Sequence, residues 1–166
     1  MLTYIFDLDG TVIDSSHRQV ARADGTIDLD HWKANNTRRK IMADSLLPLA
    51  RVWRMAYYRP APVHVLTARV IGQDDLDFLN RNDLPFHFLH SRPEGNTMPD
   101  HALKWLLLRM HCQDIGKTWN QFRVNAVFFE DAPKTLELMR NKGLTCFDSI
   151  GYNAIMQGNR IKRKTA

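Results

Sequence analysis

Apolar residues along this chain come in short runs separated by amphipathic stretches. Tyr4-Ile5-Phe6, Val63-His64-Val65-Leu66, Phe86-His87-Phe88-Leu89, Val124-Asn125-Ala126-Val127-Phe128-Phe129 and Leu144-Thr145-Cys146-Phe147 have strand length and predict five strands. Leu49, Val52, Trp53 and Ala56 recur at helical spacing, with Pro48 placed for a first turn, so part of 38–59 is expected to be helical. Residues 73–82 predict a short helix with Leu76 and Leu79 inward. Pro99-Asp100 opens another through Met110, with Leu103, Leu106, Leu107 and Met110 inward. A further helix over 133–142 stops at Gly143. Residues 12–31 are polar and show no clear helical period, with Asp24-Gly25-Thr26 placed as a turn in a small flap, and 31–36 read as a short helix or loop. Beyond Gly151 one turn of helix is expected before a solvated basic end.

Strands alternate with helices throughout. That order predicts an α/β fold with a mostly parallel sheet and helices on both faces. No repeat, low-complexity segment or long linker interrupts it, so 1–158 reads as a single domain and 159–166 as a basic C-terminal tail.

Composition adds limits. The chain has 166 residues, 44% hydrophobic and 25% charged, which suits one domain with a sizeable core. No run approaches the ~20 apolar residues of a membrane span, and a first strand starting near Thr3 leaves no room for a signal peptide. Cys112 and Cys146 lack metal-ligand spacing and read as reduced thiols, which implies a cytoplasmic setting. The net charge of +5 gathers in Arg38-Arg39-Lys40, in Arg51, Arg54 and Arg59, and in Arg160-Ile161-Lys162-Arg163-Lys164. Such a surface suits a polyanionic partner or simply keeps the protein soluble. The seven histidines show no ligand spacing, and His64 and His87 read as packed strand residues. Trp32 and Trp53 read as flap or core packing rather than base-stacking groups. Ile115-Gly116-Lys117-Thr118 mimics the end of a P-loop, but position 111 is His rather than Gly and no apolar strand precedes it; a helix-ending turn is the reading.

The chemistry is at the strand ends. Asp7 and Asp9 follow Tyr4-Ile5-Phe6 on the same side of the chain, and Gly10 permits a sharp turn. Two carboxylates so close repel unless a proton or a cation lies between them, and hard oxygen donors suit a divalent cation. In a parallel sheet, ligands sit at the carboxyl ends of the strands. There the sequence also places Thr67 and Arg69, Glu130 and Asp131, and, from the helix after the third strand, Lys104.

Asp7-Leu8-Asp9-Gly10-Thr11 after a hydrophobic strand resembles the first motif of the haloacid dehalogenase (HAD) superfamily, mostly Mg2+-dependent aspartyl phosphatases. The chain is most similar to the branch that forms the 3′-phosphatase domain of phage-type polynucleotide kinases. The likeness rests on His17-Arg18, Asp30-His31-Trp32, Thr67-Ala68-Arg69, Asp100 to Lys104, and Glu130-Asp131. The resemblance implies a three-layer α/β/α Rossmann-like fold with a small flap and no large cap. It also implies roles. Asp7 is the nucleophile, and Asp9 protonates the leaving alcohol and then activates water. Asp7, the Asp9 main chain and Asp131 hold Mg2+. Thr67, Lys104, Arg69 and Arg18 hold phosphate or nucleotide. Gly10 and Thr11 support the turn, and Asp100, one helical turn before Lys104, orients it. Glu130 departs from the Asp-Asp pair of that branch, leaving direct or water-mediated ligation open. For Arg18 and Arg69 a surface ion pair is the plain alternative, and for Asp100 a helix N-terminal charge.

The expected function is Mg2+-dependent removal of 3′-phosphate from polynucleotide ends or nucleotides. The alternatives are a 5′-(deoxy)nucleotidase or small-metabolite phosphatase, and a catalytically idle nucleic-acid-binding module. The expected partner is a phosphorylated nucleotide or nucleic-acid end, with a separate kinase or ligase and no membrane. The branch also implies a phage origin and hence a host cytoplasm.

Overall fold

The computed structural model describes residues 1–20 and 28–164; the turn expected at Asp24-Gly25-Thr26 and the final residues 165–166 of the expected tail lie outside these. Five parallel strands form the central sheet: β1 (Thr3–Phe6), β4 (Val63–Leu66), β5 (Phe88–His90), β6 (Ala126–Glu130) and β7 (Thr145–Asp148), in the order β5-β4-β1-β6-β7. β1 lies at the centre, with Tyr4 opposite Val63 on one side and Phe6 opposite Phe129 on the other. The period-2 alternation of strand side chains divides the core in two. Phe6, Val63, Val65 and Phe129 pack with Trp53 and Phe78, from α3 (Ala50–Tyr58) and α4 (Gln73–Arg81). Ile5, Leu66 and Phe128 face the other way. They pack with Leu108, Phe122 and Met139, from α5 (Asp100–Asp114), α6 (Trp119–Arg123) and α7 (Pro133–Asn141). The fold is therefore the expected three-layer α/β/α arrangement.

The segment between β1 and α3 builds the flap. It holds β2 (Ile13–Asp14), a single 3-10 turn (Ser16–Arg18), α1 (Leu29–Asn35), α2 (Arg38–Ile41) and β3 (Ser45–Leu46). β2 and β3 pair antiparallel, a two-residue ribbon too short to leave a periodic signal. α6 and this ribbon were not expected from the sequence. The Gly116 turn does end α5, with φ +64°, and Thr118 caps α6 by accepting from the Gln121 N–H, as a helix-ending turn requires.

The expected inward face of α5 needs correcting. Leu103 is buried, but Leu106 and Met110 are 41% and 50% exposed. The buried stripe is Leu103, Lys104, Leu108, His111 and Cys112. Two polar residues on the inward face, one for the site and one described below, disguise the apolar period. The last helix, α8 (Ser149–Lys164), runs to Lys164 where a single turn was expected. No helix of the described residues is long and apolar enough to cross a membrane. Both cysteines are free thiols.

Candidate active site

The chain leaves β1 at the centre of the sheet, and the Asp7 N–H donates to the Phe129 carbonyl at 3.0 Å, so β6 fixes where Asp7 emerges. A tight turn follows, in which the Leu8 carbonyl accepts from the Thr11, Val12 and Ile13 N–H groups. Gly10 is required there twice over. Its φ is +71°, and a Cβ at this position would stand 2.2 Å from Asp131 Oδ2. α8 clamps the turn from outside: the hydroxyls of Thr11 and Ser149 are 3.0 Å apart, and Asn153 donates to the Thr11 carbonyl at 3.0 Å.

Lys104 reaches in from the first turns of α5 and lies between two acids. Its Nζ donates to Asp7 Oδ1 at 2.8 Å and to Glu130 Oε2 at 2.6 Å, and all three groups are buried. Carboxylate oxygens of Asp7, Glu130 and Asp131 lie within 4.8 Å of one another. Glu130 is further fixed by the Ala132 N–H on its Oε1. Residues at the carboxyl ends of β1 and β6 and on α5, separated by up to 124 positions in sequence, thus lie together.

The electrostatics of this cluster are unbalanced. Three ionised carboxyls against one ammonium would leave two negative charges in a buried pocket. Burial, aided by Glu130 and Asp9 and opposed by Lys104, pushes Asp7 up to about 7. Burial likewise raises Glu130 and Asp131, Asp7 adding to the rise at Asp131. At Lys104 burial works against the charge, but Asp7 and Glu130 outweigh it and hold the ammonium well above its ordinary range. Either protons or a cation must make up the deficit. An all-oxygen donor set of this kind fits a hard divalent ion such as Mg2+.

Asp9 occupies a different environment. Arg69 holds both its oxygens, Nη2 to Oδ1 at 2.5 Å and Nε to Oδ2 at 3.1 Å, and the Ser15 hydroxyl donates to Oδ1 at 2.6 Å. The third nitrogen, Nη1, donates to buried Asp75 at 2.5 Å. Asp75 in turn accepts from the Gly72 N–H and closes the start of α4. The guanidinium of Arg69 is therefore in the site, but all its nitrogens are committed to carboxylates.

Thr67 ends β4. Its N–H donates to the His90 carbonyl at 2.9 Å, and its Oγ1 accepts the Arg69 N–H at 3.1 Å. The hydroxyl proton is left to point elsewhere.

Two residues expected at the site, Arg18 on phosphate and Asp100 on Lys104, have other partners. Arg18 is fully buried, with Nε and Nη2 on Asp44 at 2.9 and 2.6 Å, Nη1 on Asn36 at 2.8 Å, and its guanidinium 4.4 Å from the Trp32 ring centroid. It organises the flap. Trp32 also lies 5.3 Å from the Arg69 guanidinium, so flap and site meet on one indole. Asp100 is largely exposed and pairs with Arg92 at 2.6 Å rather than with Lys104. Ser15, Asp44, Asp75, Ser149 and Asn153 were not anticipated. Each acts through a partner distant in sequence or on a loop without periodicity, and an Asx or Ser in a polar stretch carries no signal by itself.

A second cluster was missed as well. His64, His90 and His111 bring ring nitrogens within 4.8 Å of one another, on β4, β5 and α5. Their separations along the chain are far outside any local ligand spacing. Burial and the neighbouring imidazoles push His64 down to about 3 and His90 to about 4.

The family model described as Bacteriophage T5 5′-deoxynucleotidase matches residues 1–93, more than half of the chain. The chain belongs to this family. The 5′-deoxynucleotidase of Escherichia phage T5 is 34% identical over 84 residues, which are 48% of this chain and 34% of the phage protein. The chain therefore spans about a third of the length of that relative. The segment that matches the T5 5′-deoxynucleotidase family contains Asp7, Asp9, Thr67 and Arg69; Lys104, Glu130 and Asp131 lie beyond it.

Solved structures extend the likeness to 87–88% of the chain. A chain of the Pnkp1/Rnl/Hen1 RNA repair complex superposes with a TM-score of 0.61 at 21% identity, over 87% of this chain and 41% of that one. A haloacid dehalogenase-like hydrolase from Streptococcus pneumoniae gives 0.58 at 13% identity, over 87% and 83%. A HAD-superfamily hydrolase of subfamily IA from Geobacter sulfurreducens gives 0.57 at 14%, over 88% of each. At these identities the likeness is one of fold, and the fold is that of the HAD hydrolases.

Proposed function

We propose that this chain carries a Mg2+-assisted phosphomonoesterase centre that acts on 5′-deoxynucleotides, with Asp7 as nucleophile and Asp9 as its acid–base partner. One observation carries the reading. Lys104 bridges Asp7 and Glu130 beside Asp131, at the carboxyl ends of β1 and β6, in a cluster short of positive charge.

In this reading Asp7 Oδ1 is pinned by Lys104, and Oδ2, which accepts no hydrogen bond among the described residues, attacks phosphorus. The bond from phosphorus to the ester oxygen breaks as the aspartyl-phosphate forms. Asp9, aimed by Arg69 and Ser15, gives a proton to the departing alcohol oxygen. It later takes one from the water that hydrolyses the acyl phosphate. Asp7, Asp131 and Glu130 would hold Mg2+, with the Asp9 carbonyl completing the set. The ion supplies the charge that lets a phosphate dianion approach three acids. The Thr67 hydroxyl donates to a non-bridging oxygen, and Lys104 offsets the charge that develops there. Arg69 is a positioning residue in this scheme, since its donors are already on Asp9 and Asp75. Arg18 shapes the flap instead of touching phosphate.

Family membership supports the choice of 5′-deoxynucleotides over the 3′-phosphorylated ends expected from the sequence motifs. The test is phosphate release from deoxynucleoside 5′-monophosphates and from a 3′-phosphorylated oligonucleotide, with Mg2+ or chelator, for wild type and Asp7→Asn. Mg2+-dependent turnover of the 5′-monophosphates, lost at least ~1,000-fold in Asp7→Asn, is the expected result. Release from the oligonucleotide alone would keep the mechanism and overturn the substrate. A folded protein that hydrolyses no monoester would leave a binding module.

A further inference from the structure

We propose that His64, His90 and His111 form a second metal centre, for one transition-metal ion of the zinc class, that ties β4, β5 and α5 together behind the phosphate-binding end of the sheet.

The geometry is that of a ligand set. His64 Nδ1 and His90 Nε2 are 3.0 Å apart, and the nitrogens of all three rings fall within 4.8 Å of one another. A tetrahedral ion at its usual distance from imidazole nitrogen needs donors about 3.3 Å apart. The rings stand in a nearly equilateral triangle, with centroids 5.3, 4.8 and 4.9 Å apart for the pairs 64–90, 64–111 and 90–111. A hydrogen bond between the two imidazoles accounts for the approach of His64 to His90 without metal; the nitrogen of His111, within 4.8 Å of both, makes the pair a three-donor set.

The chemistry selects the ion. The converging donors are imidazoles, with no carboxylate in the set, which disfavours Mg2+ and Ca2+ and suits zinc, cobalt or nickel. Buried among one another, the rings are neutral, the form that ligates metal. Three protein donors leave a fourth position. Asp114, one helical turn beyond His111, acts electrostatically on both His90 and His111, and the negative charge favours a cation among the rings. Phe88 and Phe122 wall the site, their ring centroids 4.7 and 5.8 Å from that of His111, which keeps the surroundings apolar.

The centre is separate from the acidic cluster but shares its supports. His64 lies on β4, three residues before Thr67, which follows that strand. His111 lies two helical turns after Lys104 on α5. The His90 carbonyl accepts the Thr67 N–H. An ion here would fix the edge strand β5 and the helix carrying Lys104 in one register.

The test needs no turnover, so it stands apart from the phosphatase reading. Protein without a polyhistidine tag is stripped with chelator and titrated with Co2+ in the presence of excess Mg2+. One Co2+ per chain should bind with the strong visible absorption of four-coordinate cobalt. Zn2+ should displace it, and Tm should rise by roughly 5 °C or more at a hundredfold excess of ion over its Kd. His90→Gln and His111→Gln should each abolish the band and the Tm rise, whereas His101→Gln and Asp7→Asn should keep both. Absence of the strong band in wild type overturns the proposal, as does a band that survives either histidine substitution. Should His111→Gln fail to fold, His90→Gln, on the half-exposed edge strand, decides alone.

Discussion

Arg69 grips Asp9 by both carboxylate oxygens, at 2.5 and 3.1 Å, from a guanidinium that is itself nearly inaccessible. A planar fork of this kind fixes direction as well as charge. A lysine would keep the charge and lose the aim.

Arg69→Lys should therefore lower kcat by roughly 10- to 100-fold while KM changes less than about threefold. Steady-state kinetics on a phosphomonoester substrate give the answer. If Arg69 instead held phosphate, KM would carry most of the loss.

Arg18 and Asp44 form a fully buried pair beneath the flap. Removing Arg18 leaves the buried Asp44 carboxylate with only the half-exposed His17 ring on its Oδ1, at 2.8 Å, a cost of up to about 3–5 kcal/mol. Arg18→Met should show a loss of that size in urea denaturation. The double variant Arg18→Met/Asp44→Leu should recover most of it, because no unpaired charge remains. Recovery of stability in the double variant alone, with activity depressed through the flap, separates this role from direct phosphate binding.

Gly10 faces Asp131 so closely that a methyl group has no room. Gly10→Ala should cost about 1–2 kcal/mol for its left-handed backbone and push the Asp131 carboxylate out of the acidic cluster. The expected result is a Mg2+ activation constant raised about tenfold or more, with the fold intact by circular dichroism. An unchanged Mg2+ requirement would remove Asp131 from the ion's ligands.

The parts legible in the sequence are those with a local signal. Apolar runs marked each central strand, and acids at their ends marked Asp7, Asp9, Glu130 and Asp131. Gly10 was legible because a turn needs it, though its contact with Asp131 was not. What escaped is long-range or mixed in polarity. α5 buries Lys104 and His111 on its inward face, so its apolar pattern points to Leu106 and Met110 as core although both are exposed. β2 and β3 are two residues each, below any period. Arg18 and Arg69 advertise charge, and only the fold reveals that Asp44, Asp9 and Asp75 are already paired with them. The histidine cluster draws one ring from each of three elements, a coincidence that only the parallel pairing of β4 with β5 under α5 creates.

Without a metal, the acidic cluster should give the protein an unusual dependence on pH. Asp7, ordinarily near 3.8, is raised to about 7 by burial, with Glu130 raised beside it around Lys104. Between those two values the native protein retains a proton that the unfolded chain has released, and the proton belongs to the coupled pair. Stability then falls as pH rises through that window, the reverse of a salt-bridged surface carboxylate. Denaturation in chelator should show a loss on the order of 2–4 kcal/mol between pH 4 and pH 7.5. Asp7→Asn removes the titrating group and should flatten most of this slope. Saturating Mg2+ binds the ionised form, so it should restore stability chiefly at the upper end of the range. A flat profile in chelator would mean that Lys104 alone balances the acids, and the case for a cation among Asp7, Glu130 and Asp131 would lose its electrostatic ground.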